Sequence, residues 1–103
     1  MKIVYSKVAN LDLKEIYSFI TQDSIKYARR EVELIQTAIK KLKKEPFIGK
    51  QFEESDDEFT RELIYRNYRV IYEIDHQLKQ IIILTVHHHS RPISNNPAFK
   101  DDA

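Results

Sequence analysis

The chain of 103 residues has no cysteine and a single glycine. Without cysteine there is no disulfide and no thiolate, so disulfide staples and thiolate chemistry are excluded, which fits a reducing compartment without proving one. The lone glycine, Gly49, excludes the glycine-rich phosphate loops of dinucleotide-binding domains and P-loop enzymes. Long apolar runs are also missing. No stretch approaches the roughly 18 uncharged apolar residues of a membrane-spanning helix. The opening MKIVYSKVAN has no apolar core of a secretory signal, so a cytoplasmic protein is expected.

Present in quantity are charge and β-branched residues. Charged side chains make up 32% of the chain, yet the net charge is only +1. The balance hides an asymmetry. The stretch QFEESDDEFT, residues 51–60, holds five acids and no base, which leaves the rest of the chain with 17 basic against 11 acidic side chains. A basic body with one acidic loop suits an anionic partner. It is equally what an uneven soluble surface looks like.

The hydrophobic pattern predicts an α+β domain over residues 1–92 with a flexible tail over 93–103. Lys2–Ser6 reads as a short strand. Asn10 or Asp12 offers an N-cap, with Glu15 completing a capping box, for a helix whose apolar residues are Leu13, Ile16, Tyr17 and Ile20. Asp23-Ser24 caps a second helix, where Ala28, Val32, Ile35, Ile39 and Leu42 form one narrow stripe. The short link between them predicts a helical hairpin. Lys40, Lys41, Lys43 and Lys44 crowd the last turns, where the helix dipole favours cations. Pro46 stops the helix, Gly49 helps the chain turn, and residues 50–60 form a loop.

Three strands follow, Thr60–Tyr65, Tyr68–Asp75 and Lys79–His88, joined by short links as an antiparallel meander. Arg66-Asn67 makes a two-residue hairpin in which Asn takes the positive φ. Val70, Tyr72 and Ile74 should share one face, and Arg69, Ile71, Glu73 and Asp75 the other. The last strand is apolar on both faces, so it belongs in the middle of the sheet. One helical layer cannot cover both sheet faces, so Ile64, Ile71 and several of Tyr65, Tyr68 and Tyr72 are expected on exposed sheet or in a groove that a partner would bury.

The histidine run His87–His89 closes the last strand. By strict alternation His87 and His89 project with Ile81, Ile83 and Thr85, while His88 projects with Ile82, Leu84 and Val86. The run is internal and too short for a purification tag. A metal site from His87 and His89 lacks further ligands, so no metal and no cofactor are expected. His88 reads as a satisfied residue at the end of a core strand. A catalytic reading stays open because Arg61, Arg69 and Arg91 lie on or beside the same sheet.

The ordered stretches ANLDLKEIYSFI, EPFIGK, RELIYRNYRVIYEI and IIILTVHHHSR, over about residues 1–92, resemble the RelE/ParE superfamily of type II toxin–antitoxin toxins. The resemblance implies a strand, a helical hairpin packed on a small antiparallel sheet, and a cognate antitoxin that wraps the toxin as a hetero-oligomer. RelE-like members, including the YoeB type, are ribosome-dependent mRNA nucleases, whereas ParE-like members inhibit DNA gyrase. Against the nuclease pattern, Glu45 matches the glutamate base, Arg69 the phosphate-contacting arginine and His89 the C-terminal histidine. Ser90 stands where the YoeB type carries a tyrosine. The lysine pair of other RelE-like members is not clearly matched by Lys44 and Lys50. His88 and Arg91 fit the ParE-like ending V-x-H-x-x-R. The ParE-like branch is therefore favoured, with Arg61, His88, Arg91, Lys43 and Lys44 as candidate contacts to a target or to nucleic acid. Glu45, Arg69 and His89 are catalytic only if the protein is a nuclease.

Overall fold

The computed structural model describes residues 1–100. Strand β1 (Lys2–Tyr5) leads into helix α1 (Lys7–Thr21), helix α2 (Ile25–Lys40), a 3-10 turn at Lys41–Lys43, the two-residue strand β2 (Lys50–Gln51), and strands β3 (Thr60–Tyr65), β4 (Tyr68–Asp75) and β5 (Gln80–His88). The five strands form one sheet in the order β1-β5-β4-β3-β2. The sheet is mixed, not purely antiparallel: β1 pairs parallel with β5, while the other pairs are antiparallel. The helical hairpin carries the chain from β1 at one edge to β2 at the other, and the antiparallel meander returns it so that β5 runs alongside β1. β5 has neighbours on both sides, as its two-faced apolarity requires. The stretch expected to be all loop contributes β2, which pairs Lys50 with Glu62.

Both helices begin at a serine. Ser6 accepts from the Ala9 amide and Ser24 from the Tyr27 amide, each satisfying an orphan donor of the first turn. The α1 cap thus lies upstream of Asn10 and Asp12, and Asp12 is freed for another task. The α2 stripe is as the spacing predicts, with Ala28, Ile35, Ile39 and Leu42 fully buried. It meets Ala9 and Leu13 of α1 and the sheet residues Val70, Tyr72, Ile74, Ile81, Ile83 and Val86 in one core. The single glycine is needed for a close approach. A Cβ at Gly49 would lie 2.5 Å from the Glu62 carbonyl and 2.7 Å from the Tyr72 hydroxyl. That hydroxyl donates to the Pro46 carbonyl and accepts from the Gly49 amide.

Three expectations are corrected. Arg66, not Asn67, takes the positive φ of the β3–β4 hairpin, at 52°. Its guanidinium crosses to the buried Glu31 of α2 at 3.0 Å, so the tip is held from the helix side. Ile71 and Tyr72 are fully buried, and of the anticipated sheet residues only Ile64 is widely exposed, at 60%. Strict alternation also fails on β5. Tyr72 pairs with Ile83 and Ile71 with Thr85, so Leu84 is an extra residue in the ladder. This bulge reverses the faces beyond it. Val86 therefore joins Ile81 and Ile83 on the helix side, and His87 turns with Thr85 to the opposite side.

Candidate functional site

The helix-free face of the sheet is polar and closed by ion pairs. Lys50 stands directly opposite Glu62, and Arg69 lies diagonal to it across β3 and β4. Glu62 is buried, and each carboxylate oxygen has a partner: Lys50 Nζ at 3.3 Å and Arg69 Nε at 2.6 Å. A buried carboxylate is tolerable only when paired in this way. The second side of the Arg69 guanidinium is 3.8 Å from Glu54, and its plane lies over the Phe52 ring at 5.8 Å. The acidic loop therefore bends back over the face and helps to hold Arg69. Arg61 points to the helix side. It donates to the carbonyls of Gly49 and Glu58, and its guanidinium lies over Phe47.

Of the anticipated tail over 93–103, residues 101–103 lie outside the described residues, and the described part is also built onto this face. Residues 93–95 and 97–99 form two 3-10 turns with Asn96 buried between them. Asn96 donates to the Thr85 hydroxyl (2.8 Å) and to His87 Nδ1 (2.9 Å), and accepts from the Ala98 amide. The second nitrogen of His87 meets the Arg91 carbonyl at 2.8 Å, so both ring nitrogens are engaged. Phe99 stacks on Phe52 at 5.2 Å between centroids. On the far side of β5, the Thr85 hydroxyl and the Val86 amide both donate to Asp12 of α1. A continuous chain of bonds thus joins α1, β5 and the C-terminal turns. Burial pushes the Asp12 carboxyl above its ordinary range, although the Thr85 and Val86 bonds pull the other way.

The histidine run divides three ways. His87 is buried and structural. His88 is half-buried, edge-on to Tyr68 and stacked with His89 at 5.0 Å. Its Nδ1 accepts from the Ser90 amide and meets the Ser90 hydroxyl at 2.7 Å. Burial, then the positive fields of His89, Arg91 and His87, hold His88 below the ordinary imidazole range. His89 is exposed, and its backbone amide and Nδ1 both meet the Asn67 carbonyl.

His88 and Arg91 line a cleft of about 280 Å³ with Asp12, Glu15, Ile16 and Phe19 of α1 and Tyr68 of β4. A second groove of about 300 Å³ adjoins it across Arg91 and reaches Leu11 and Pro92. Phe19 at the first cleft and Leu11 at the second groove are exposed at 73% and 49%, so exposed apolar side chains stand beside the charged Asp12, Glu15 and Arg91. Among the described residues no three acids or histidines come together as a metal-holding group.

The remaining candidates are dispersed. Glu45 is exposed in the turn before Pro46, two residues from Phe47, whose ring stacks on His76 beyond the end of β4. His89 lies at the opposite end, beside Asn67. The eight residues of β4 separate these ends by roughly 25 Å. Arg69 lies between them and is already paired. Lys43 and Lys44 are exposed at the Glu45 end, where the Lys43 carbonyl accepts from the Met1 nitrogen. The sequence reading missed Asp12, Thr85 and Asn96 as a set, and no motif announces them. Glu62 was legible in principle, because alternation along TRELIY puts it on the face of Thr60 and Ile64.

Residues 3–93 match the family model described as the ParE toxin of the type II toxin–antitoxin system parDE. No curated protein matches the chain by sequence. Among solved structures, the chain is similar to one described as the chromosomal ParDE system from P. aeruginosa, at 22% identity and a TM-score of 0.69, covering 85% of this chain and 95% of that one. The RelBE2 toxin–antitoxin complex from Mycobacterium tuberculosis gives 22% identity and a TM-score of 0.60, covering 84% and 95%. A YoeB/ParE toxin from Agrobacterium tumefaciens gives 21% and 0.59, covering 86% and 99%. At these identities the solved structures establish the fold alone.

Proposed function

The chain belongs to the ParE toxin family of type II toxin–antitoxin systems, and from that premise we propose that it arrests growth by acting on DNA gyrase and not by cutting mRNA. The observation that carries this reading is the separation of the three groups a nuclease would need. Metal-free RNA cleavage requires a base at the 2′-hydroxyl, cations at the phosphate and an acid at the leaving oxygen, all within reach of one phosphodiester. Here Glu45 and His89 stand at opposite ends of β4, and Arg69 is bound to Glu62 at 2.6 Å. Ser90, bonded to His88, provides no ring on which an RNA base would stack.

A cognate antitoxin is the second part of the proposal. Two of the similar solved structures are described as toxin–antitoxin assemblies. The cleft between α1 and the end of β5, with exposed Leu11 and Phe19 at its rim, supports such a partner here, because an amphipathic segment would bury those side chains. The free protein should melt at a lower temperature than its complex with the antitoxin. Equal melting temperatures would sink this part of the reading.

The test of the target is a supercoiling and DNA-cleavage assay with purified gyrase and antitoxin-free protein. Inhibition, or accumulation of cleaved DNA, is the expected result. Folded protein that halts growth yet leaves gyrase untouched overturns the proposal and moves the activity to mRNA on the ribosome. Arg69→Ala would then abolish it. Expression without growth arrest would instead leave an antitoxin-binding partner that has lost toxicity.

A further inference from the structure

Five lysines from three separate segments converge on one end of the molecule. The Met1 nitrogen donates to the Lys43 carbonyl at 3.1 Å, and the Lys2 amide donates to the Lys79 carbonyl at 3.1 Å. With successive Cα atoms about 3.8 Å apart, these two contacts put the backbones of Lys2, Lys43 and Lys79 within on the order of 10 Å of one another. Lys41 and Lys44 flank Lys43 on the same turn. All five side chains are exposed. Among the described residues none of them forms a salt bridge, although Lys50, Arg66 and Arg69 elsewhere in the chain do. The nearest acid in sequence to Lys79, Asp75, is engaged within its own turn, accepting from the amides of Gln77 and Leu78. Of the acids in the 53–58 loop, Glu54 meets Arg69 on the helix-free face and Asp57 is bonded within the loop to the Phe59 amide.

The helix dipole accounts for Lys41, Lys43 and Lys44, which sit at the C-terminal end of α2. It does not account for Lys2 and Lys79, which come from the start of β1 and the β4–β5 turn. Lys79 even holds a positive φ of 50°, unusual for a side chain of its size. We propose that this lysine rim is a docking surface for the phosphate backbone of duplex DNA. Duplex DNA carries about one phosphate per 1.7 Å of axis, so a rim of this size meets several at once. Single-stranded RNA is the poorer fit, because it is gripped by free aromatic rings between the cations. The aromatic ring next along the chain from Lys44, Phe47, is 49% exposed but is engaged by His76 and the Arg61 guanidinium. In its choice of DNA the inference rests on the gyrase reading: a toxin acting on a DNA-bound enzyme would gain affinity by touching the DNA itself.

The test is fluorescence anisotropy of a labelled 20-base-pair duplex with the full chain, across about 50 to 200 mM salt. Four phosphate contacts give a log–log salt slope of about −3.6. The variant Lys2→Gln/Lys43→Gln/Lys44→Gln/Lys79→Gln should bind about tenfold more weakly or worse, with the slope reduced by about three units. A control with the same loss of charge elsewhere, Lys14→Gln/Lys26→Gln/Arg29→Gln/Arg30→Gln, should keep most of the affinity and the slope. The corresponding Lys→Arg quadruple should bind like wild type, which excludes a folding defect as the cause. Equal losses in the rim and control variants overturn the proposal, as does wild-type binding that favours single-stranded RNA, or no binding at the lowest salt. Running the same variants in the gyrase assay separates the two readings. Duplex binding lost in the rim variant with no gyrase effect in any protein rejects the gyrase target and leaves the rim standing. Gyrase inhibition with unaltered duplex binding in the rim variant rejects the rim and leaves the target standing.

Discussion

The two faces of the sheet are built from the same strands by different forces. On the helix side, Val70, Tyr72, Ile74, Ile81, Ile83 and Val86 meet the stripes of α1 and α2 in a core held mainly by apolar burial, with the Tyr72 hydroxyl bonded to the Pro46 and Gly49 backbone. On the other side, Glu62, Arg69, Thr85, His87 and Asn96 are held by directed bonds, and the cover is a loop and two short turns. Burial of apolar surface is non-directional and tolerates small shifts. A polar face holds only while every donor and acceptor has its partner. The first face should therefore set the stability of the protein, and the second should set how that stability responds to salt, pH and single polar substitutions.

The largest effect should come from the apolar face. Ile83→Ala removes a fully buried side chain from the core between the sheet and the helices. A loss of about 3 to 4 kcal/mol is expected in urea denaturation, independent of salt. A loss below about 1 kcal/mol would mean that the helices repack freely, and the contrast between the faces would fail.

On the polar face, Glu62→Ala strips Arg69 and Lys50 of their shared partner. Arg69 remains about one quarter exposed, so water recovers part of the cost. The expected loss is about 2 kcal/mol, short of what a fully buried pair gives. The double variant Glu62→Leu/Arg69→Met should recover most of it, because an apolar pair needs no partners. If the double variant is as unstable as the single one, the network holds more than its own charges. Asn96→Ala should cost about 1 to 2 kcal/mol by leaving Thr85 and His87 short of a donor. It should also release the C-terminal turns to limited proteolysis while the core stays folded. Unchanged proteolysis would show that the Phe99–Phe52 stack alone retains the segment.

This contrast explains what could be read from the sequence. Strands β3 and β4 fall where the alternation puts them, Thr60–Tyr65 and Tyr68–Asp75. The α2 stripe is buried as its spacing requires. These are signatures of apolar burial, which leaves a period in the chain. The bulge at Leu84 leaves none, because an extra residue in an all-apolar strand looks like its neighbours. It nevertheless decides that His87 and not His88 is the buried histidine. The Asp12–Thr85–Asn96–His87 chain joins residues 73 and 11 positions apart at its first two links. No local motif encodes such a pairing. Asp12 was attractive as a helix cap because it precedes Glu15 by three residues. Ser6 takes that role because the helix begins directly after β1, with the serine hydroxyl also donating to the Leu84 carbonyl. The candidate site was legible residue by residue and not as an arrangement. Resemblance placed Glu45, Arg69 and His89 in one catalytic set, and only the fold shows that β4 keeps two of them apart.

The smallest predicted effect tests the end of β5, where the two faces meet. His88 titrates below the ordinary imidazole value because burial and the charges of His89, Arg91 and His87 disfavour its protonated form. The unfolded chain then binds a proton more readily than the folded one. The stability His88 contributes is present above the unfolded value near pH 6.5 and is lost as pH falls through that value towards the lower folded one. Melting temperature should therefore drop as pH is lowered from about 7.5 to about 5.5. His88→Asn should flatten part of that slope, and His89→Asn, which removes one of the opposing charges, should flatten less. His87→Asn would test the other face through its bonds to Asn96 and the Arg91 carbonyl, and should lower stability at every pH. A His88→Asn protein with the full wild-type slope would assign the pH response to the polar face alone. His88 would then add nothing to the pH response of the cleft at the end of β5, which would be left to the other charges lining it, Asp12, Glu15 and Arg91.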